Sequence, residues 1–321
     1  MGERNLGLAC IFTIVNLARL NVGLEGVAIA ERAYQAARHY ARDRVHGQTL
    51  GREAAPSKTI SGPPDVRRML MDMKTRIEAM RALAHYTAGQ NFRVHGQVDA
   101  AQRQSVQAQV DRLIPVVKGW CTENALGITA TGMQVHSGMG FVLATGVAQY
   151  LGDVRTTTIY DGTTGVQASD LIVRKLARGG GAGMRRLIGR MAAYTDAISG
   201  QDDALLTTVV STLMTGLAAQ EQAPAGLLAR APREAAAGAV PYLGLCATVI
   251  GGWLMARAAD AATSQLTLGG KAHAEADADF LNARRITAHP DALHLLPQAA
   301  ALRDAVLHGA VSTLGLSDTQ C

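Results

Sequence analysis

Residues 9–42 read ACIFTIVNLARLNVGLEGVAIAERAYQAARHYAR, and no proline interrupts them. Apolar side chains recur at Val15, Ala18, Val22, Ile29, Ala33, Ala36 and Tyr40, with Gly26 filling one place. Steps of three and four residues set such side chains on one side of an α-helix. The spacing predicts one long helix, or two nearly joined. It should stop near Gly47, after the basic run Arg42-Asp43-Arg44-Val45-His46, because cations suit the negative carboxyl end of a helix.

The same period continues along the chain. Residues 57–64 read as a loop by their Pro, Ser and Gly content, and Pro64-Asp65 opens a second long helix to about residue 88. Val66, Leu70, Met73, Ile77, Met80 and Ala84 share one side of it, and this methionine-bearing stripe reads as core. After a polar stretch at 89–101, a third helix is expected over 102–136, bent at Pro115 where one internal hydrogen bond is missing. Shorter helices follow at 144–152 and 164–177. Gly179-Gly180-Gly181-Ala182-Gly183 reads as a joint, and behind it 184–199, 202–220, 233–262 and 290–314 are again helical in pattern. The expected fold class is all-α, an up-down helical bundle in residues 1–178 followed by a second helical bundle in residues 184–321.

Composition agrees and narrows the function. Of the 321 residues 48% are hydrophobic but only 4% aromatic, a mix suited to packed helices. The net charge of +5 is spread without a dense basic tract, so nucleic acid is not an expected partner. Cys10, Cys121, Cys246 and Cys321 lie far apart with no zinc-type spacing; they read as thiols of a reducing compartment, and no metal is expected. The start, Met1-Gly2-Glu3-Arg4-Asn5, lacks the layout of a signal peptide, which leaves the cytoplasm as the expected location of a soluble protein. The most apolar stretches, 6–15 and 239–259, are interrupted by polar residues, Gly or Pro241; the second reads as a buried core helix, and no membrane span is expected.

Three polar or glycine-rich features fall at helix ends, where unpaired backbone groups can meet a ligand. They are Arg44, then Gln134 with Gly138 and Gly140, then the segment Ile159-Tyr160-Asp161-Gly162-Thr163-Thr164-Gly165. Singly each is weak. Asp161 suits plain helix capping, the two glycines follow no strand and so fail the context of a dinucleotide fingerprint, and His136 reads as a hydrogen-bonded structural residue.

Together and in order the pieces resemble the carboxyl-terminal helical domain of the acyl-CoA dehydrogenase family. The motifs that carry this are Ala18-Arg19-Leu20-Asn21-Val22-Gly23-Leu24-Glu25-Gly26-Val27-Ala28, Tyr40-Ala41-Arg42-Asp43-Arg44, Gln134 through Phe141, Tyr150-Leu151-Gly152-Asp153 and Ile159-Tyr160-Asp161-Gly162-Thr163. The resemblance covers about residues 3–178. The back part, with Ala239-Val240-Pro241-Tyr242-Leu243, Gly251-Gly252-Trp253 and His294-Leu295-Leu296-Pro297-Gln298, is similar to the extra helical domain of a longer branch that includes methylthiopropanoyl-CoA dehydrogenases.

The resemblance implies α,β-dehydrogenation of an acyl-CoA thioester with FAD as cofactor and an electron-transfer flavoprotein as acceptor. It puts Asp161 at the catalytic base and Arg19 beside it. Arg44, Gln134, Gly138 and Gly140 would meet the pyrophosphate and adenine side of FAD from a neighbouring subunit, and Thr163 would hydrogen-bond the same cofactor. A homo-oligomer is implied, or a hetero-oligomer whose other chain supplies the amino-terminal and middle domains that this sequence does not contain. Two positions depart from the pattern: the branch ordinarily has glutamate where Asp161 stands, and an arginine where Gly152 precedes Asp153. A catalytically silent helical oligomerisation module derived from the family is the alternative.

Overall fold

The computed structural model describes residues 5, 7–46, 58–268, 275–317 and 319–320, and among these there is no strand beyond one isolated bridge between Val45 and Thr59. The protein is all-α, as the pattern predicts. Three long helices form the front: α1 (Gly7–Asp43), α2 (Pro64–Gly96) and α3 (Ala100–Val135). Helix α1 is a single helix. It ends at Asp43, where the chain turns into the extended bridge to residues 58–60; Gly47, the expected stop, lies outside the described residues.

The buried face of α1 is displaced from the expected stripe. Gly23, Gly26, Val27, Ala30, Ala33, Ala37 and Ala41 are buried, while Val15, Ala18, Ile29, Ala36 and Tyr40 sit half-buried on the flank. Small residues own this face because α3 comes close enough to touch its backbone. A Cβ on Gly26 would meet the Cys121 carbonyl and Thr122 Cα at 3.2 Å, and one on Gly23 would stand 2.5 Å from Val117 Cγ1.

Helix α2 starts with Pro64 in its first turn, where a missing N–H goes unnoticed. Met73, Ile77, Met80 and Leu83 are sealed against α1 and α3. It runs on through Gly96, past the polar stretch that reads as a break, because Gln90 and Val94 are buried and Val94 clusters with Val110 and Ile114 of α3. One apolar contact per turn is enough to hold a helix whose remaining faces are wet. Helix α3 is capped by Asp99, whose carboxylate accepts from Gln102 N at 2.7 Å, and continues across Pro115 without interruption.

After α3 come α4 (Gly138–Phe141), α5 (Val147–Thr157) and α6 (Thr164–Ser169), the last passing into a π-helical turn at Asp170–Leu176. Residues 179–181 then form three successive left-handed glycines with φ of 73°, 57° and 78°, closed by Gly181 N on the Leu176 carbonyl at 2.9 Å. Only glycine takes this conformation without strain. Beyond it lie α7 (Ala182–Ile198), α8 (Ala204–Leu228), α9 (Pro232–Ala237), α10 (Ala239–Leu268), α11 (Glu275–Pro290), a second π-turn at Asp291–Leu295, α12 (Gln298–His308) and α13 (Ala310–Thr313).

Helix α10 is the centre of the back part. Its residues 239–267 are long and apolar enough to cross a bilayer by length and composition, yet 83% of the most apolar window is buried among its neighbours, as a core helix would be. Gly251 lies against Trp120 and Ala79, and Leu243 against Gly119, so the core continues from the front helices into the back ones. Helix α11 forms where the pattern predicts none. It has few apolar residues, and besides its packing on α10 it is tied by Arg284 to the buried Glu78 at 3.0 Å and by Arg285 to Asp203.

The close crossing makes a paired prediction. Gly26→Val, by forcing α1 off α3, should lower stability by about 1–3 kcal/mol. Gly127→Ala, in the same helix α3 but facing open space, should raise it by about 0.5–1 kcal/mol. Urea unfolding followed by circular dichroism measures both, and equal effects would mean that the crossing is not tight. A second prediction concerns Asp291, buried at the head of the second π-turn. Burial raises its carboxyl from 3.8 to about 7, against the opposing pull of Arg76. Between those values the folded chain binds the extra proton, so this group's contribution to stability is full below about pH 4 and is lost as pH rises through about 7. Asp291→Asn should therefore melt several degrees above the parent at about pH 8 and level with it at about pH 4.

Candidate active site

The segment between α5 and α6 reverses the chain in two residues. Thr158 N, Ile159 N and Tyr160 N still close the last turn of α5, and then Asp161 and Gly162 take φ of 53° and 93°. Aspartate is among the few residues that enter the left-handed region at modest cost. Gly162 is obligatory: a Cβ there would lie 2.7 Å from Gln167 Nε2. The capping role that Asp161 could have filled falls to Thr163, whose Oγ1 accepts from Val166 N at 3.4 Å. Thr163 is exposed, and its hydroxyl hydrogen remains free to donate. Among the described residues the Asp161 carboxylate makes no hydrogen bond, and the residue is half-buried.

What holds the turn is its backbone. The Asp161 carbonyl accepts from Arg19 Nε and from Gln167 Nε2, each at 3.1 Å. The Gly162 carbonyl accepts from Lys118 Nζ at 2.6 Å and from Gln167 Nε2 at 3.3 Å. Arg19, Lys118 and Gln167 are all buried, and so is Asp170, which stands 3.9 Å from Arg19 and is bonded by Arg174. Burial lowers the Lys118 ammonium from 10.5 to about 8, partly offset by the Asp161 charge nearby. Around this centre the Tyr160 hydroxyl donates to Glu25 of α1, and Thr164 Oγ1 donates to Glu123 at 2.5 Å. The sequence reading placed Arg19 beside Asp161 and missed Lys118. Its one signal was isolation, since it is the only charge between Leu113 and Thr122.

The other candidates assemble elsewhere. At the far ends of α1 and α3 the Tyr40 ring stacks on His136 at 4.6 Å, and His136 Nδ1 donates to the Gly132 carbonyl at 2.7 Å. That contact brings Arg44, next after α1, to the same end as Gln134, Gly138 and Gly140. Arg44 and Gln134 are exposed. Ser137 between them has φ 54° and ψ −139°, a strained conformation for a residue with a side chain. Gly140 must be glycine because a Cβ would strike the Met133 carbonyl at 2.2 Å, whereas Gly138 faces open space. At 1.5 Å per residue, the step from Arg19 to Tyr40 along α1 is about 32 Å. One copy of the chain thus holds two separate groups, Asp161 with Arg19 and Thr163, and Arg44 with Gln134, Gly138 and Gly140.

Both groups sit in residues 5–176, a span that matches the family model "Acyl-CoA dehydrogenase, C-terminal domain" over more than half of the chain. The chain belongs to the acyl-CoA dehydrogenase family. Residues 187–317 match a second model, "Acetyl-CoA dehydrogenase C-terminal like". The chain is 41% identical over 305 residues to 3-methylmercaptopropionyl-CoA dehydrogenase of Ruegeria pomeroyi, covering 94% of this chain and 50% of that one. It is 33% identical over 288 residues to the broad-specificity linear acyl-CoA dehydrogenase FadE5 of Mycobacterium tuberculosis, covering 84% and 46%. The chain spans about half the length of these curated relatives. Its fold is shared with an acyl-CoA dehydrogenase from Bacillus anthracis complexed with FAD, at a TM-score of 0.68, 15% identity and coverage of 98% of this chain and 54% of that one.

The end of the acyl-CoA dehydrogenase domain that carries Arg44 has the donors a diphosphate needs. Its guanidinium has no partner among the described residues, Gln134 offers an exposed amide, and Gly138 leaves its backbone open to close approach. These residues fit the phosphate side of FAD. Beside it lies an apolar groove lined by Met133, Phe141, Leu143, Ala148 and Leu151, with Phe141 and Leu143 each more than four-fifths exposed.

Proposed function

We propose that this chain provides the proton-abstracting base and one FAD-binding surface of a flavin-dependent acyl-CoA dehydrogenase. The observation that carries the reading is the Asp161 turn: its two carbonyls are tied inward by Arg19, Gln167 and Lys118, while its carboxylate is left without a partner among the described residues and without a capping duty. A base for the weakly acidic α-carbon of a thioester has to be held still and kept partly from water. In the proposed reaction Asp161 takes the α-proton of an acyl-CoA, the β-hydrogen leaves with its electron pair, and a trans-2-enoyl-CoA results. FAD, when bound, supplies the acceptor for that hydride. Thr163 would donate to the cofactor, and Arg19 keeps the Asp161 turn in register.

Arg44, Gln134, Gly138 and Gly140 would bind the cofactor's phosphates for a neighbouring copy, a role supported by their place at the end of the bundle marked by Tyr40, which lies about 32 Å from Arg19 along α1. The exposed Phe141 and Leu143 support an oligomer, whether of this chain alone or with a chain supplying further domains. An electron-transfer flavoprotein as electron acceptor and a division into bundles at residues 179–183 belong to the same proposal. The unpaired, buried thiols of Cys121 and Cys246 support the cytoplasm as its location; the side chains of Cys10 and Cys321 lie outside the described residues.

A catalytically silent helical module is the second reading, and one observation favours it. Aspartate is one methylene shorter than the glutamate usual in this branch, and a misplacement of about 1 Å can slow a reaction about a hundredfold. Purification with and without a co-expressed neighbouring gene product, followed by an absorption spectrum, separates the two. Flavin colour in either preparation is expected, and colourless protein in both overturns the enzyme reading. In the flavin-loaded assembly Asp161→Asn should lower acyl-CoA dehydrogenation by about 10²–10⁴-fold, and Asp161→Glu should raise it. An unchanged rate in both variants would remove Asp161 from the role of base.

A further inference from the structure

We propose that Lys118 is a positioning residue for Asp161: from the buried face of α3 its ammonium clamps the Gly162 carbonyl and supplies the unpaired positive charge that stabilises the Asp161 carboxylate at its station. The proposal rests on the reading of Asp161 as base, and it concerns how that base is held.

Lys118 is fully buried, with its Nζ 2.6 Å from the Gly162 carbonyl. A lysine in such a place is expensive, because burial disfavours the charged form and an apolar side chain of similar size would pack there at lower cost. Satisfying a carbonyl does not account for it, since Gln167 Nε2 already reaches both the Asp161 and the Gly162 carbonyls. What the lysine adds is charge. Around the turn Arg19 of α1 faces Asp170 of the π-turn, which Arg174 also bonds; Glu25 of α1 takes the Tyr160 hydroxyl, and Glu123 of α3 takes that of Thr164. Among the described residues Lys118 forms no ion pair; the Asp161 carboxylate is the foremost opposite charge acting on it, ahead of Glu123, with Arg19 opposing both.

The clamp also explains the backbone. Asp161 and Gly162 keep a left-handed pair only while their carbonyls are fixed, because an aspartate at φ 53° relaxes to ordinary φ once released. With a pKa near 8, Lys118 loses its charge at mildly alkaline pH. The neutral amine can still donate to Gly162, but with a weaker bond and no field at the carboxylate. The grip on the turn should therefore loosen as pH passes about 8.

The test uses the full chain and needs no flavin. The variant is Lys118→Met, a neutral side chain of similar length. Amide exchange at Tyr160, Gly162 and Thr163 should quicken by at least about tenfold while the exchange of core α3 amides stays unchanged. Unmoved exchange at the three amides overturns the proposal. Should Lys118→Met fail to fold, the parent chain decides. Exchange at those three amides, corrected for the intrinsic rise with pH, should climb through about pH 8, and a flat profile overturns the clamp. Failure of the base reading is seen separately, as an unchanged turnover of Asp161→Asn in the flavin-loaded assembly. In that assembly Lys118→Met should lower kcat with little change in KM.

Discussion

Helices α1 and α3 touch backbone to backbone, and most of what this protein can do follows from that approach. Gly23 and Gly26 against Val117, Cys121 and Thr122 bring the two axes nearer than ordinary side chains permit, and Ala30, Ala33, Ala37 and Ala41 keep them near for the remaining length. A crossing so close leaves little room for rotation or sliding of one helix on the other, because any slip drives a small residue's neighbour into a carbonyl. Arg19 on α1 and Lys118 on α3 are therefore held at fixed places on the same side of the pair, where both reach the Asp161-Gly162 turn. At the opposite end the same rigidity sets Tyr40 against His136.

A rigid pair with a functional group at each end has an architectural consequence. The groups are separated by the length of the helices, so they can share one extended cofactor only if a second copy brings its far end to the first copy's near end. The exposed apolar residues Phe141 and Leu143 lie at the Arg44 end, beside the groove formed by Met133, Ala148 and Leu151. That is where apolar surface would have to be covered for such an exchange. Charge follows a similar economy. Glu78, Asp170 and Lys118 are buried ionic groups, and the first two have guanidinium partners, as buried charges require. Among the described residues Lys118 has no ion pair: its hydrogen bond goes to a carbonyl oxygen, and the carboxylates of Asp161 and Glu123 act on it through space.

The long helices were legible in the sequence because apolar residues repeat over many turns, and a missed contact or two does not destroy such a period. The motifs around Asp161, Gln134 and Arg44 were legible because glycine and charge at helix ends are rare combinations, and five in register are rarer. Other features depended on distant partners. Residues 89–96 look like a break until Val94 is seen against Val110 and Ile114, and α11 looks like a loop until Arg284 meets Glu78. The stripe expected on α1 meets the buried face only at Val22, Gly26 and Ala33, because a close crossing selects glycine and alanine at places such as Gly23, Ala30 and Ala37 that apolar spacing alone does not single out. Lys118 was passed by because a helical lysine is ordinarily a wet one, and its burial is visible only once residues 161–162 arrive from 44 positions downstream.

The departure at Asp161 looks different once the backbone is known. Judged by reach, aspartate is a poorer base than glutamate, since its carboxylate is set back by a methylene. Judged by conformation, it is the better occupant of this position. At φ 53° aspartate is one of the few residues with a side chain that is enriched, and glutamate is not. The two demands oppose each other in the same residue. With Asp161 as the proposed base, a chain that moves to aspartate relieves backbone strain and gives up reach, and the proposed catalysis then requires the turn to be held close to the substrate. The donors from Arg19, Lys118 and Gln167 are that restraint, all three from buried side chains and two of them cationic. In this protein the question of activity thus passes from the identity of the acid to the stiffness of the turn that carries it.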